Sequence, residues 1–240
     1  MEVISILLGS RRPYRLRQMW ESFYNKASQK AWLQAAVYID DDDEATISEA
    51  RKLAREYPNF ISMWFPRNPI MSQMTNDCYD WCTGEIVMMG ADDVECQTEG
   101  WDTVVRDTFK LYPDRAVLVY GTDGHWGSTF ATHPFLSREA INVLGEVCDG
   151  RFHHAYADRA LWDIYTSINR THYIPIITYH KHPDYHERLS DSVDANQKEN
   201  FKKYRPDLLY LNSGAIIKSK SDKLSSYIRD FQCQTLTTRV

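Results

Sequence analysis

A chain of 240 residues with 43% hydrophobic and 25% charged positions carries enough apolar material for one globular domain, or a domain with an extension, which excludes a disordered tail. Its longest apolar runs, residues 4–8, 86–89 and 116–120, fall far short of the roughly 20 residues a membrane-crossing helix needs, and the first of them runs into Arg11-Arg12 as no secretion signal does. The net charge of −5 is uneven: residues 198–240 hold nine Lys/Arg against four acids, so that segment is +5 and the remainder −10.

In chain order, residues 2–9 alternate little and are rich in Ile, Val and Leu, as a strand buried on both faces would be. Pro13 suits a first helical turn, and Leu16, Met19, Trp20 and Phe23 follow at helical spacing. Residues 35–39 read as a second strand and 40–43 as a helix start, with Ile47, Ala50, Ala54 and Tyr57 on one helical face that stops before Pro58. A third strand over 59–65, a helix over 71–82, a fourth strand over 85–89, a helix over 100–112 and a fifth strand over 116–120 complete a β-α-β-α-β rhythm. That rhythm predicts an α/β fold with an open, mostly parallel sheet flanked by helices. After a Gly/Asp/His/Trp loop at 121–127 come helices over 137–144 and 156–168, a last strand over 172–178 and a helix over 187–204. The serine- and lysine-rich stretch 219–226 reads as a weakly ordered tail with one short helix. The five cysteines, Cys78, Cys82, Cys96, Cys148 and Cys233, are odd in number and scattered, which predicts free thiols in a reducing, cytoplasmic setting.

In open α/β sheets ligands bind beyond the carboxyl ends of the strands, and four polar features fall there. Ser10-Arg11-Arg12 offers a hydroxyl, backbone amides and a helix start to a phosphate or nucleotide; neither GxGxxG nor GxxxxGK[ST] is present, so the two commonest nucleotide motifs do not apply. In Asp40-Asp41-Asp42-Asp43-Glu44, Asp42 or Asp43 can cap the next helix, leaving Asp40 and Asp41 for a base or ribose. Asp92-Asp93 ends the fourth strand as a handle for a hard cation, Mg²⁺ or Mn²⁺, or else as a solvated turn. His180-Lys181-His182 supplies two imidazoles two residues apart, of which strand alternation would send one into the site. A zinc site joining them to Cys78 and Cys82 lacks the usual knuckle spacing. Asp158, opening a helix, is either an N-terminal helix acid or a general base. The loop 123–126 could stack Trp126 on a sugar or base.

Taken together these residues resemble the GT-A-fold nucleotide-sugar glycosyltransferases, in particular their large group of small inverting, family 2-like enzymes, over about residues 2–185. Residues 4–12 look like the first strand and nucleotide loop, 37–41 like the stretch with the base-binding acid, and Arg67-Asn68-Pro69 with Asn76 like the segment before the metal strand. Residues 84–93 resemble the approach to an Asp-x-Asp motif, followed by Gly100-Trp101; 133–138 resemble the acceptor-side strand and helix, and Ala157-Asp158 the acidic pair that holds the base. Two departures stand out: Gly90-Ala91-Asp92-Asp93 replaces Asp-x-Asp-Asp, and Ala157 replaces an acid.

The resemblance implies a catalytic domain at 1–186, a helical, basic extension at 187–240, and a distribution of roles. Ser10, Arg11, Arg12, Asp40, Asp41, Arg67, Asn76 and Asp92 would bind the donor, Asp93 with His180 or His182 the metal, and Asp158 would act as base. The expected activity is metal-dependent transfer of a sugar from a UDP-sugar to an acceptor hydroxyl, with Asp158 positioning the sugar if configuration is retained. The basic C-terminal segment suggests a hydroxymethylated base in DNA as acceptor, as for compact viral enzymes acting in a host cytoplasm, or else a glycan or lipid at an anionic surface. A nucleotidyltransferase and a non-catalytic nucleotide- or carbohydrate-binding domain are the competing readings.

Overall fold

The computed structural model describes residues 1–152, 155–182 and 192–237. Strand β1 (Ile4–Gly9) shows how the sequence builds the architecture, because Ile4, Ile6 and Leu8 enter one hydrophobic cluster while Leu7 enters another on the opposite face. Strands β2 (Leu33–Asp40) and β4 (Ile86–Met89) divide in the same way: Ala35, Val37, Ile39, Ile86 and Met88 on one side, Ala36, Tyr38 and Val87 on the other. A strand apolar on both faces must be covered twice. Helices α1 (Pro13–Lys26), α2 (Glu44–Glu56) and α4 (Trp101–Lys110) cover the first face with residues such as Trp20, Leu53 and Phe109. Helices α3 (Met71–Trp81), α5 (Arg138–Leu144) and α6 (Ala157–Ser167) cover the second with residues such as Cys78, Ile141 and Tyr165.

With β3 (Phe60–Phe65), β5 (Val94–Cys96), β6 (Leu118–Thr122), β7 (Phe135–Ser137) and β8 (Thr171–His180), the sheet runs in the order β3-β2-β1-β4-β7-β6-β8-β5. The half from β3 to β4 is parallel, as expected. The other half is mixed rather than mostly parallel, since β7 runs antiparallel to both β4 and β6, and β5 antiparallel to β8. Both β5 and β7 are three residues long, too short to display a two-residue period in the sequence.

The C-terminal segment departs further from expectation. Instead of a weakly ordered tail, α8 (Pro206–Leu211) is followed by the 24-residue helix α9 (Gly214–Thr237), which packs on α5 and α6. Its buried face is only Ser221, Leu224 and Ile228, a thin stripe among lysines and serines that leaves little periodic signal. Before it, α7 (Ser192–Tyr204) is the described part of the helix expected over 187–204; residues 187–191 lie outside the described residues. Cys78, Cys82, Cys96 and Cys148 are buried free thiols and Cys233 is an exposed one.

One buried polar knot ties the N-terminal region to α4. Asp102, fully buried, accepts the backbone N–H groups of Ser28 and Gln29 at 2.8 and 3.0 Å and pairs with Arg106 at 2.6 Å. Arg106 also donates to the carbonyls of Glu2 and Trp32, so both ions are compensated.

Candidate active site

The carboxyl ends of β1, β2 and β4 open onto a cleft of about 630 Å³. At the end of β4, Gly90 donates its N–H to the Leu7 carbonyl at 2.8 Å; a Cβ there would lie 2.7 Å from Ile6 Cγ2. Only glycine lets the chain pass this close over β1 before it turns to deliver two carboxylates into the cleft.

Those carboxylates face different ways. Asp92 is buried and turns to the β1 loop, accepting Ser10 Oγ at 2.7 Å and Arg12 Nη1 at 3.1 Å, while the Arg12 N–H returns to Ser10 Oγ at 3.1 Å. Burial and the adjacent Asp93 push the Asp92 pKa upward against Arg12. Asp93 turns the other way, its Oδ1 lying 3.3 Å from His180 Nε2. Burial opposes its charge, but the hydrogen bond and charge of His180 outweigh burial and hold its pKa well below the carboxylate range.

His180 reaches Asp93 through β5, a strand missed in the sequence. In its antiparallel pairing with β8, Val94 lies opposite His180 and Cys96 opposite Thr178, and the Lys181 N–H donates to the Asp93 carbonyl at 2.8 Å. His182 lines the cleft too, its ring 5.1 Å from that of His180. The expectation of one inward histidine is therefore corrected: β8 ends at His180, so strand alternation does not extend to residue 182. The loop at 123–126 clamps His180 from behind. Asp123 accepts the N–H groups of His125 and Trp126 and the Thr132 hydroxyl, three donors that overcome burial and hold its pKa low, and its carbonyl accepts the His180 N–H at 2.9 Å. The His125 ring lies 2.9 Å from the His180 carbonyl, and Trp126, 50% exposed, stands at the end of this loop.

His133 belongs to the site and was not singled out for it in the sequence. Its Nδ1 sits 3.2 Å from the Met89 carbonyl and its ring 4.8 Å from His180, while its buried Nε2 has no partner among the described residues. Burial first, then the charge of His180, push its pKa down to about 3, so it is neutral, and with Nδ1–H directed at Met89 its Nε2 carries a lone pair. The one signal in the sequence was its position at the head of the stretch 133–138.

At the opposite end of the cleft, Arg11 joins Asp40 at 2.5 Å and Asp42 at 2.6 Å, and Asp40 also accepts the Asn68 N–H at 3.1 Å. Asp43 is the cap of α2, accepting Thr46 N–H at 3.1 Å, and Asp41 is exposed. Tyr38 stacks on Phe65 with centroids 5.0 Å apart, and Arg67 lines the cleft with its side chain 55% exposed. Asn76 is not brought to the cleft: its amide holds the 147–148 backbone through Val147 N–H and the Cys148 carbonyl.

Asp158, which lines the same cleft as Asp93, sits in the first turn of α6, and burial raises its pKa to about 6. Tyr156, which precedes this helix, has φ +71°, a left-handed conformation that costs a non-glycine residue about 1–2 kcal/mol. It stacks on Tyr210 at 5.1 Å. Helix α7 adds a wall that was not foreseen, with Glu199, Asn200, Lys203 and Tyr204 lining the cleft. Cys78, by contrast, lies in the core against the Leu8 carbonyl, and among the described residues no three His, Cys, Asp or Glu side chains form a ready-made metal cage. Cys82 faces Arg138, and neither thiol lines the cleft that holds His180 and His182, so the structure does not bring the zinc alternative's four residues together.

A half-parallel, half-mixed sheet with helices on both faces and its cleft at the strand ends, where an Asp-Asp turn projects, defines a GT-A-like α/β fold. Solved structures share it at low identity. The mannosyltransferase PcManGT from Pyrobaculum calidifontis, in complex with GDP-Man and Mn²⁺, matches with TM-score 0.59 and 14% identity over 73% of this chain and 56% of its own. S. aureus TarS 1–349 in complex with UDP matches with TM-score 0.58 and 12% identity over 77% and 62%, and in complex with UDP-GlcNAc with TM-score 0.57 and 11% over 94% and 71%. The chain thus spans about 56–62% of the length of the first structures it matches. No family model matches the chain, and no curated protein matches it. Among the described residues no helix is long and apolar enough to cross a membrane.

Proposed function

We propose that this chain is a metal-dependent glycosyltransferase that uses a nucleoside-diphosphate sugar, most simply a UDP-sugar, and delivers the sugar to an acceptor hydroxyl. The observation that carries this reading is the placement of Asp93 and His180, 3.3 Å apart at the strand ends, in one cleft with Asp158. The donor pair suits Mn²⁺ better than Mg²⁺: the Asp93 carboxylate and the imidazole of His180, whose backbone is clamped, lie side by side, and Mn²⁺ accepts a nitrogen ligand where Mg²⁺ prefers oxygen. Asp93 and His180 would hold the ion, with His182 also facing the cleft. When bound, such an ion neutralises charge on the departing diphosphate.

The remaining chemistry belongs to the chain. Asp158 takes the proton of the acceptor hydroxyl as its oxygen bonds to the anomeric carbon, and the bond from that carbon to the diphosphate breaks with its electron pair leaving on oxygen. A base with a pKa raised toward 6 is a stronger proton acceptor than an ordinary carboxylate and remains mostly ionised at neutral pH. Ser10, Arg11, Arg12, Asp40 and Arg67 are the nucleotide end in this reading, with Tyr38, backed by Phe65, as its aromatic floor; Asp41, expected there, is exposed and does not line the cleft. The DNA-base acceptor is the reading of the basic C-terminal segment; it rests on charge, and Arg205, Lys218 and Lys220 of that segment are already paired with carboxylates.

The test is turnover. UDP-, GDP- and CDP-sugars are offered with Mn²⁺, and hydrolysis or transfer is followed by release of the nucleoside diphosphate. Release by the wild type that disappears in Asp158→Asn while diphosphate binding persists supports a transferase; a protein that binds but never turns over is a binding domain. Duplex DNA binding that falls steeply with salt supports the DNA acceptor, and none at low salt removes it.

A further inference from the structure

We infer that Lys203, on the C-terminal helix α7, is the cation that receives the diphosphate of the donor, an assignment that rests on the nucleoside-diphosphate reading above. The cleft is rich in acid: Asp40, Asp92, Asp93, Asp158 and Glu199 all line it. A diphosphate brought among these carboxylates meets repulsion that one divalent ion offsets only in part, so cations on the wall must supply the rest. The arginines of the β1 loop are already engaged. Arg11 bridges Asp40 and Asp42 at 2.5 and 2.6 Å, and Arg12 is paired with Asp92 at 3.1 Å with its side chain only 9% exposed. Arg67 points its largely exposed side chain to Asp42, 3.9 Å away.

Lys203 differs from all three. Its ammonium lies 4.8 Å from the ring of Tyr204 on its own helix, and among the described residues no carboxylate stands within ion-pair distance of it. Glu199, one turn earlier on the same wall, is not joined to it. A compact ammonium on a flexible stem is suited to a phosphate as a point charge, where a guanidinium fork would demand fixed geometry.

The helix that carries Lys203 is also tied to the far side of the site. Phe201 rests 6.5 Å from the ring of Tyr156, which stacks on Tyr210 and immediately precedes the helix bearing Asp158. The helix bearing Lys203 and the residue that precedes the helix bearing Asp158 thus share an aromatic contact. The basic segment contributes to the donor site itself, a use of its charge that needs no nucleic acid.

The experiment is a calorimetric titration in Mn²⁺ of UDP and GDP, with uridine and guanosine as diphosphate-free probes, into wild type, Lys203→Ala, Lys203→Glu, Lys203→Arg and the neighbouring Lys202→Ala. Loss of a charged hydrogen-bond donor predicts that Lys203→Ala weakens the preferred diphosphate by roughly ten-fold. Lys203→Glu weakens it more, Lys203→Arg restores most of it, and Lys202→Ala and the nucleosides are unchanged. The salt dependence of diphosphate binding also becomes shallower in Lys203→Ala, and matching circular dichroism melts exclude unfolding. Wild-type affinity in Lys203→Ala, or an equal loss for nucleoside and diphosphate, overturns the assignment and leaves the glycosyltransferase reading standing. A wild type that binds no nucleoside diphosphate overturns both.

Discussion

Val94 lies directly opposite His180 in the antiparallel pair of β5 and β8, and that register sets His180 Nε2 3.3 Å from the Asp93 carboxylate. A slip of one residue would turn His180 to the other face of the sheet, so three residues of strand decide whether the carboxylate has an imidazole beside it. Asp123 and His125 reinforce the same placement from the backbone side of His180.

Asp93→Ala should therefore remove metal-dependent binding. A nucleoside diphosphate at about 100 times its dissociation constant stabilises one site by about 2.7 kcal/mol, a rise of roughly 5–10 °C in Tm for a chain of this size. In wild type that rise should need Mn²⁺ and vanish with EDTA; in Asp93→Ala it should be absent in both. His180→Ala removes a direct ligand and should weaken Mn²⁺ by more than the about 10–100-fold that loss of an outer hydrogen-bond partner costs, read from the electron paramagnetic resonance signal of free Mn²⁺.

The pH profile follows from Asp158. A base must be deprotonated to act, so kcat/KM should rise with pH through about 6 and level off above it, and Asp158→Asn should abolish this limb together with turnover. Stability runs the opposite way. Because folding raises this carboxyl from 3.8 to about 6, the native state binds more protons than the unfolded chain across that window, and stability falls as pH rises through it. The loss is about 1–3 kcal/mol after allowance for partial exposure, and Asp158→Asn should be more stable than wild type at pH 7 by a similar amount in urea titrations.

The knot at Asp102 should dominate the stability of the α4 face. Asp102→Ala strands the Arg106 guanidinium and two N–H groups in the interior and should cost about 3–5 kcal/mol in chemical denaturation. Asp107→Ala, on the same helix but 61% exposed at its side chain, should change stability by less than about 0.5 kcal/mol.

Helix α9 should behave as part of the core. Leu224→Ala deletes a fully buried side chain and should cost about 2–5 kcal/mol, whereas Ser226→Ala on its exposed side should be close to neutral. Equal stability of the two variants in a thermal melt would show that α9 does not dock.

The parts of the fold legible in the sequence were those whose signal is local. Leu16, Met19, Trp20 and Phe23 announce α1 because one face must be apolar, and Asp42-Asp43 announces the start of α2 because a cap needs a short acceptor, which the structure makes Asp43. Asp93 and Asp158 were recognisable as cleft residues from their places at a strand end and a helix start. What was not legible depends on pairing at long range. Val94–Cys96 acquires its meaning only against Thr178–His180, and Leu224 and Ile228 only against the face of α6. The lone pair of His133 is defined by a carbonyl 44 positions earlier, and Lys203 reaches the cleft wall through a helix whose sequence names no partner.

The division of the interior into two clusters by the sheet has a consequence for how such a protein can change over generations. The cluster beneath α1, α2 and α4 holds Trp20, Trp101 and Phe109, far from the walls formed by α3, α6 and α7. Drift among the helices of that layer alters chiefly how firmly the chain folds, since only its strand residues, such as Val94 opposite His180 and Ile6 under Gly90, bear on the cleft. Drift in the other layer shifts the helices that shape the cleft, so a lineage can retune what it recognises against a scaffold whose durability is stored on the opposite side of the sheet.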